Sequence, residues 1–389
     1  MPRRFVRILL ASSLLFLAKL LVAQPTTGLT RKTGAATEPF SNIVSVQELP
    51  DGRVVVTDAR ERALSIVDFA RGDTRQLGRN GSGPNEYTSA QHLFRGRGDT
   101  LLLFDFPARR MLRVAPNGTL AGVRTIDMTV ADTLPGEKPM PDRLALGARA
   151  SDSAGGLYYE VGWMEIGKGM RPDRLIARWD PATRTSKRVA AVRAWYPERS
   201  SRWNAPFMYQ DLWVVAPDGR VARVVPVDYH VEWYRDGALV SRGATVAFPP
   251  VRVTKADRDA WYRAHTSQSQ GSSQIVGPPP PPGANNKQPV RIPRPPGTTD
   301  ADFPDVKPPF VEDYVGRSAM ISGEGELWVT RAGAHGATTS TIDVFDAAGA
   351  LVRHVSIPAT HRVGGFGKGV VYLVRTDDDG LQWLERYER

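Results

Sequence analysis

The sequence predicts an all-β chain that closes into a six-bladed β-propeller. Three observations carry this reading. Asp-Gly and Asn-Gly pairs recur between short apolar runs, a unit repeats at a spacing of 40–50 residues, and the last unit is one strand short. The pairs Asp51-Gly52, Asn80-Gly81, Asn117-Gly118, Asp218-Gly219, Asp236-Gly237 and Asp379-Gly380 supply the positive φ that tight hairpins need. Many hairpins at even spacing point to a sandwich, a barrel or a propeller, and repetition in units of this length selects the propeller.

The first unit begins at Ile43, turns at Asp51-Gly52, continues to Asp58 and pairs back over Ala63 to Phe69. The second begins near Ser89, turns at Gly98-Asp99, continues to Asp105 and returns over Arg110 to Ala115. Asp58 and Asp105 stand 47 residues apart. Further units run over about 143–195, 206–248 and 314–358. The sixth, 361–389, holds three strands: His361 to Phe366, Gly369 to Arg375 and Gln382 to Tyr387. An N-terminal strand at Gly28 to Thr33 is expected to complete it, joining the two ends of the chain and removing an open sheet edge. A seventh blade would have to come from residues 128–142.

Residues 249–313 break the pattern. Thr254-Lys255-Ala256-Asp257 reads as a helix N-cap with an acidic residue at the third position. Ala256, Ala260, Trp261 and Ala264 would form its apolar face. The stretch 278–309 then holds 12 of the 31 prolines, including the run Pro278 to Pro282. Proline lacks a backbone donor and stiffens the chain, so a helical and proline-rich, partly disordered insertion is expected. It serves either as a lid or docking arm, or as a tolerated surface excursion.

The N-terminus reads as an address. Met1 to Arg4 is basic and Phe5 to Ala23 mostly apolar, with Ala23 as the expected cleavage point. The uninterrupted run Ile8 to Ala18 is shorter than the ~20 residues a membrane span requires. Residues 1–23 are therefore expected to be a signal peptide. Residues 24–389 would form one propeller domain with no membrane span, secreted or periplasmic and monomeric.

Composition narrows the function classes. No cysteine occurs among the 389 residues, so disulfides, thiolate metal sites and cysteine nucleophiles are excluded. The net charge is +10, with 42 Arg against 9 Lys. These arginines are scattered, whereas nucleic-acid binding calls for a basic stripe, so no nucleic-acid partner is expected.

The stretch Leu77-Gly78-Arg79-Asn80-Gly81-Ser82-Gly83-Pro84-Asn85-Glu86-Tyr87 resembles the GxGPGEF connector of bacterial exported six-bladed β-propeller proteins, NHL-like in fold. Leu49 to Asp58, Ile342 to Gly349 and Tyr372 to Tyr387 resemble the first, fifth and closing blades of that family. The likeness covers about 40–127 and 314–389, and 143–248 more loosely. Asn85 stands where the family has glycine. The family pairs an Asp after the second strand of a blade with an Arg on the third. Asp105 and Arg110 keep that spacing as structural candidates, while Asp58 faces Ala63. The resemblance implies a propeller outside the cytoplasm whose activity is mostly unassigned.

Chemistry in a propeller gathers where the innermost strands meet the axis. His92 and His361 lie near the starts of inner strands in blades two and six. With Asn42, Arg143, Tyr209 and Arg317 from other blades they are the candidates for an axial ligand site. No histidine falls in an HExxH or other close ligand spacing, so no metal and no cofactor are expected. Asp377-Asp378-Asp379-Gly380 reads as a hairpin turn, since calcium ligands alternate along such a loop. Trp203, Trp213, Trp233, Trp261, Trp328 and Trp383 read mainly as blade core. The function expected is a non-catalytic binding module for a peptide, glycan or protein partner. The alternative is an axial-pocket lyase or hydrolase, with or without one divalent ion.

Overall fold

The structure is a computed structural model. It describes residues 25–105, 107–108, 110–125, 148–161, 164–165, 169–180, 182–183, 185–270, 297–311 and 318–389. The expected signal peptide, the run Pro278 to Pro282, the 128–142 lead-in, Arg143 and Arg317 lie outside these residues.

Six antiparallel sheets succeed one another along the chain, each with its first strand innermost. These inner strands are Ile43–Glu48, His92–Arg95, Ala150–Ser151, Leu212–Val215, Ala319–Ile321 and His361–Gly367. Each touches the next, and the sixth touches the first, so the ring is closed. Between blades the sheets pack through apolar layers. Leu49, Val55 and Leu64 of blade one meet Leu93, Leu101 and Leu112 of blade two, for example. Five of the six expected turns form where the sequence places them, with positive φ at Gly52, Gly118, Gly219, Gly237 and Gly380. Asn80-Gly81 instead opens a connector in which Arg79–Asn80 pairs parallel with Glu86–Tyr87.

The last sheet is completed by the N-terminus, with a strand that starts four residues later and ends two residues later than the sequence predicts. Lys32–Ala35 pairs antiparallel with Gln382–Glu388, Lys32 opposite Tyr387 and Ala35 opposite Glu385. The segment before it does something the sequence did not suggest. Thr26–Gly28 adds to blade five as a fifth strand, parallel to Leu351–Pro358. Both added strands are mostly exposed. No alternation of apolar and polar residues fixes their register, so it rests on backbone pairing and on a few polar side chains such as Lys32 on Glu385.

At the seam between the last blade and the first, backbone approaches backbone. A Cβ on Gly365 would stand 2.6 Å from the carbonyl oxygen of Val46. Only glycine fits this approach. Beside it, the buried carboxylate of Glu385 accepts hydrogen bonds from Lys32 and Arg375 at 3.2 Å and from Tyr387 at 2.8 Å, and lies 3.2 Å from the ring of His361. Burial alone would raise its carboxyl. The bonds from Tyr387, Lys32 and His361 outweigh that and hold it below its ordinary value.

The connector after blade one is wrapped around a single guanidinium. Arg110 Nε lies 3.0 Å from the fully buried Asp105, and its Nη atoms donate to the carbonyls of Gly81, Ser82 and Glu86 at 2.8–2.9 Å. Asp58, which faces Ala63, has no such arginine. Its carboxylate instead accepts from the backbone N–H groups of Ser41, Asn42, Arg60 and Glu61 at 2.6–3.1 Å. The departure from the family pattern is thus absorbed by main-chain donors.

Within the insertion, the helix Lys255–Gln270 starts as expected. Thr254 and Asp257 cap each other, with bonds of 2.8 and 3.2 Å. The face it buries differs from the prediction: Ala256 and Ala264 are exposed, and Asp257 and Tyr262 are the buried residues. The reason is an ion pair of 2.7 Å between Asp257 and buried Lys307, together with the rings of Trp261 and Tyr262 against Phe303. Among the described residues no helix is long and apolar enough to cross a membrane.

Two outcomes follow at the seam. Gly365→Ala is expected to lower the urea midpoint by the equivalent of about 1–3 kcal/mol, the cost of overpacking, with an unchanged slope. Glu385 contributes stability above its unfolded value of 4.5, and this is lost as pH falls through its lower folded value. Glu385→Gln should therefore flatten the acid limb of a stability-against-pH curve.

Candidate functional site

The six inner strands enclose one axial cavity of about 910 Å³. Every blade contributes to it: Val44–Pro50, Gln91–Arg95 with Asp99, Arg149–Ser153, Leu212–Val215 with Pro217, Ala319–Glu324 and Arg362–Lys368. The wall is mixed, with apolar side chains such as Met320 and Phe366 set among polar and charged ones.

Most of the charged groups in the wall are engaged by protein. Glu48 accepts from the hydroxyl of Tyr372 and, at 3.0 Å, from the backbone N–H of Lys368. Asp152 accepts from Arg178 at 2.6 Å, Tyr158 at 2.9 Å and the N–H of Gly156 at 2.8 Å. Glu324 pairs with Arg389 at 2.5 Å. Arg362 donates to the carbonyl of Ile43 at 2.5 Å and to Gln382. Asp99 is exposed at the blade-two hairpin.

One carboxylate behind the wall sets the positions of two lining residues. Glu160 is 7% exposed and accepts from Arg149 at 2.9 Å, Arg174 at 2.5 Å and the indole N–H of Trp213 at 2.7 Å. Arg149 and Trp213, from neighbouring blades, share the same oxygen, Oε1. Burial would raise the Glu160 carboxyl, but the two guanidinium groups and the indole hold it below its ordinary value.

The sequence-predicted site residues separate in the structure. His92 lines the cavity. His361 does not: it faces Glu385, and its neighbour Arg362 lines the cavity instead. The His361 ring is taken up by Glu385 within the last sheet, at 3.2 Å. Asn42 lies just before the blade-one inner strand, its N–H on Asp58. Tyr209 lies in the loop before blade four, its hydroxyl 3.5 Å from the carbonyl of Lys307 and its pKa raised by burial. Neither lines the cavity. Arg143 and Arg317 fall outside the described residues.

Arg149 and Arg362 were not singled out from sequence, and Trp213 was read there mainly as blade core. A detectable signal was present: each stands a few residues before a first-hairpin turn, where the inner strand of its blade must run. Of the tryptophans read as blade core, Trp233 and Trp328 are buried between sheets, whereas Trp203 is exposed, Trp213 lines the cavity and Trp261 packs on Phe303 from the insertion helix. Asp377 accepts from the N–H groups of Asp379 and Leu381, which closes the Asp-rich turn on itself. Among the described residues no group of three or more His, Asp or Glu is placed to hold a metal ion.

No protein-family model matches the chain, and no curated protein matches it. Several solved structures are similar at low identity. Virginiamycin B lyase from Staphylococcus aureus is 11% identical over 92% of this chain and 98% of its own, with a TM-score of 0.40. A gluconolactonase from Xanthomonas campestris is 11% identical over 92% and 91%, with a TM-score of 0.44. The PQQ-bound aldose sugar dehydrogenase from Streptomyces coelicolor is 13% identical over 94% and 100%, with a TM-score of 0.43.

Glu160→Ala would leave Arg174 buried without its carboxylate. Loss of about 3–5 kcal/mol is expected, read as a lower Tm, together with a shifted Trp fluorescence maximum as the Trp213 indole loses its acceptor.

Proposed function

We propose that this chain is an exported propeller of the GxGPGEF-connector type that binds a ligand in its axial cavity without transforming it. One observation carries the reading. A cavity of about 910 Å³ is built from the inner strands of all six blades, and three of its four carboxylates, Glu48, Asp152 and Glu324, are engaged by protein donors, while the fourth, Asp99, sits exposed on the blade-two hairpin. This volume lies near the upper end of small-ligand sites, enough for a short peptide or an oligosaccharide. A general acid or base must reach a substrate proton with its own lone pair or proton. Carboxylates held by buried Tyr and Arg serve instead to fix the wall.

Export is supported by the basic and apolar N-terminal segment and by the connector resemblance. Monomeric behaviour is supported by the closed ring, which leaves no blade edge at the seam.

Filling the cavity tests the reading. Peptide and glycan libraries screened against the intact protein should yield ligands, and Met320→Trp, which enlarges a half-buried wall residue, should weaken them at least ~10-fold at a temperature where circular dichroism shows the variant folded. Ligands that bind Met320→Trp unchanged, or that are chemically converted, would overturn it.

A further inference from the structure

We propose that the cavity takes a small organic carboxylate, with the acid group at the end formed by Arg149, His92 and Arg362 and the body against Trp213 and Met320. This rests on the cavity being a binding site and adds the chemical class of its ligand.

Charge is segregated along the axis. The four carboxylates of the lining, Glu48, Asp99, Asp152 and Glu324, all come from the later part of an inner strand or the turn after it. At the opposite end, where the inner strands begin, the described lining holds two arginines and a histidine and no carboxylate. Arg95 and Lys368 accompany the carboxylates, so among the described residues the first end is mixed in sign and the second holds basic residues only.

The cationic end is built. Glu160 stands behind it and pairs with both Arg149, at 2.9 Å, and Arg174, at 2.5 Å. Arg149 reaches Glu160 through Nη1 alone, and half its side chain is accessible. The rest of its planar fork suits the two parallel bonds that a carboxylate accepts. Because Glu160 Oε1 also accepts from Trp213, the guanidinium and the indole are fixed relative to each other before any ligand arrives. A bound acid meets a preset charge and, beside it, an apolar surface for its carbon skeleton. Preset geometry lowers the ordering cost of binding.

Two sources of a carboxylate fit this chemistry: a uronic sugar and the C-terminus of a short peptide. Isothermal titration of the intact protein compares four probes: a glucuronate-containing disaccharide, its neutral glucose counterpart, a tripeptide free acid and its C-terminal amide. At least one acid should bind ~10-fold or more tightly than its neutral partner, in line with a charge-assisted hydrogen bond, and the acid that does so identifies the source. Arg149→Gln should abolish that advantage. The acid–neutral comparison on the unaltered protein stands even if this variant folds poorly. Neutral probes that bind as tightly as the acids, or an acid advantage that survives in well-folded Arg149→Gln, overturn the proposal. If neutral probes alone bind and Met320→Trp weakens them, the carboxylate assignment falls while the cavity reading stands. If no probe binds, the carboxylate assignment falls.

Discussion

The pairing of Lys32–Ala35 with Gln382–Glu388 is the constraint on which the rest of the molecule depends. Six sheets arranged around an axis form a cavity only if the sixth is held against the first. Here the ring is locked by main-chain bonds between the two ends of the chain, by glycine at the seam, and by one carboxylate, Glu385, that gathers donors from both ends. The seam is also part of the site. Val44–Pro50 and Arg362–Lys368, on its two sides, form a continuous stretch of the cavity wall.

Buried carboxylates perform the same task around the ring, each with different donors. Asp58 takes four backbone N–H groups, Asp105 an arginine and a threonine, and Glu160 two arginines and an indole. Asp211 takes Tyr196 and Arg223, and Asp343 takes Tyr229, Arg331 and the ring of His354. A buried charge is costly unless paired and hydrogen-bonded. Each therefore fixes the strand ends around it and limits the ways blades can slide. Tyr229 on Asp343 and Trp213 on Glu160 tie one blade to the next.

The ring was legible in the sequence because its signals are local. Asp-Gly and Asn-Gly pairs mark hairpins, and apolar runs between them mark strands that are buried on both faces. The closing strand was legible in kind but not in register, since Lys32–Ala35 carries no alternation to set it and Thr26–Gly28 is equally featureless. The helix start was legible through Thr254 and Asp257, whereas its buried face was decided by Lys307, some fifty residues away. The site was legible only in part. Knowing that inner strands meet the axis located His92, but His361 is turned to Glu385, a partner 24 residues further along that the local pattern does not reveal. Arg149 and Trp213 became visible through Glu160, and that contact joins two blades.

Amide hydrogen exchange across the two chain ends tests the closed ring most directly. The N–H groups of residues 32–36 that bond across the ladder, among them Ala36 with its N–H on the carbonyl of Leu384 at 2.8 Å, should exchange as slowly as their partners in 382–388. Fast, unprotected exchange at 32–36 beside a protected 382–388 would contradict the closure and, with it, the cavity.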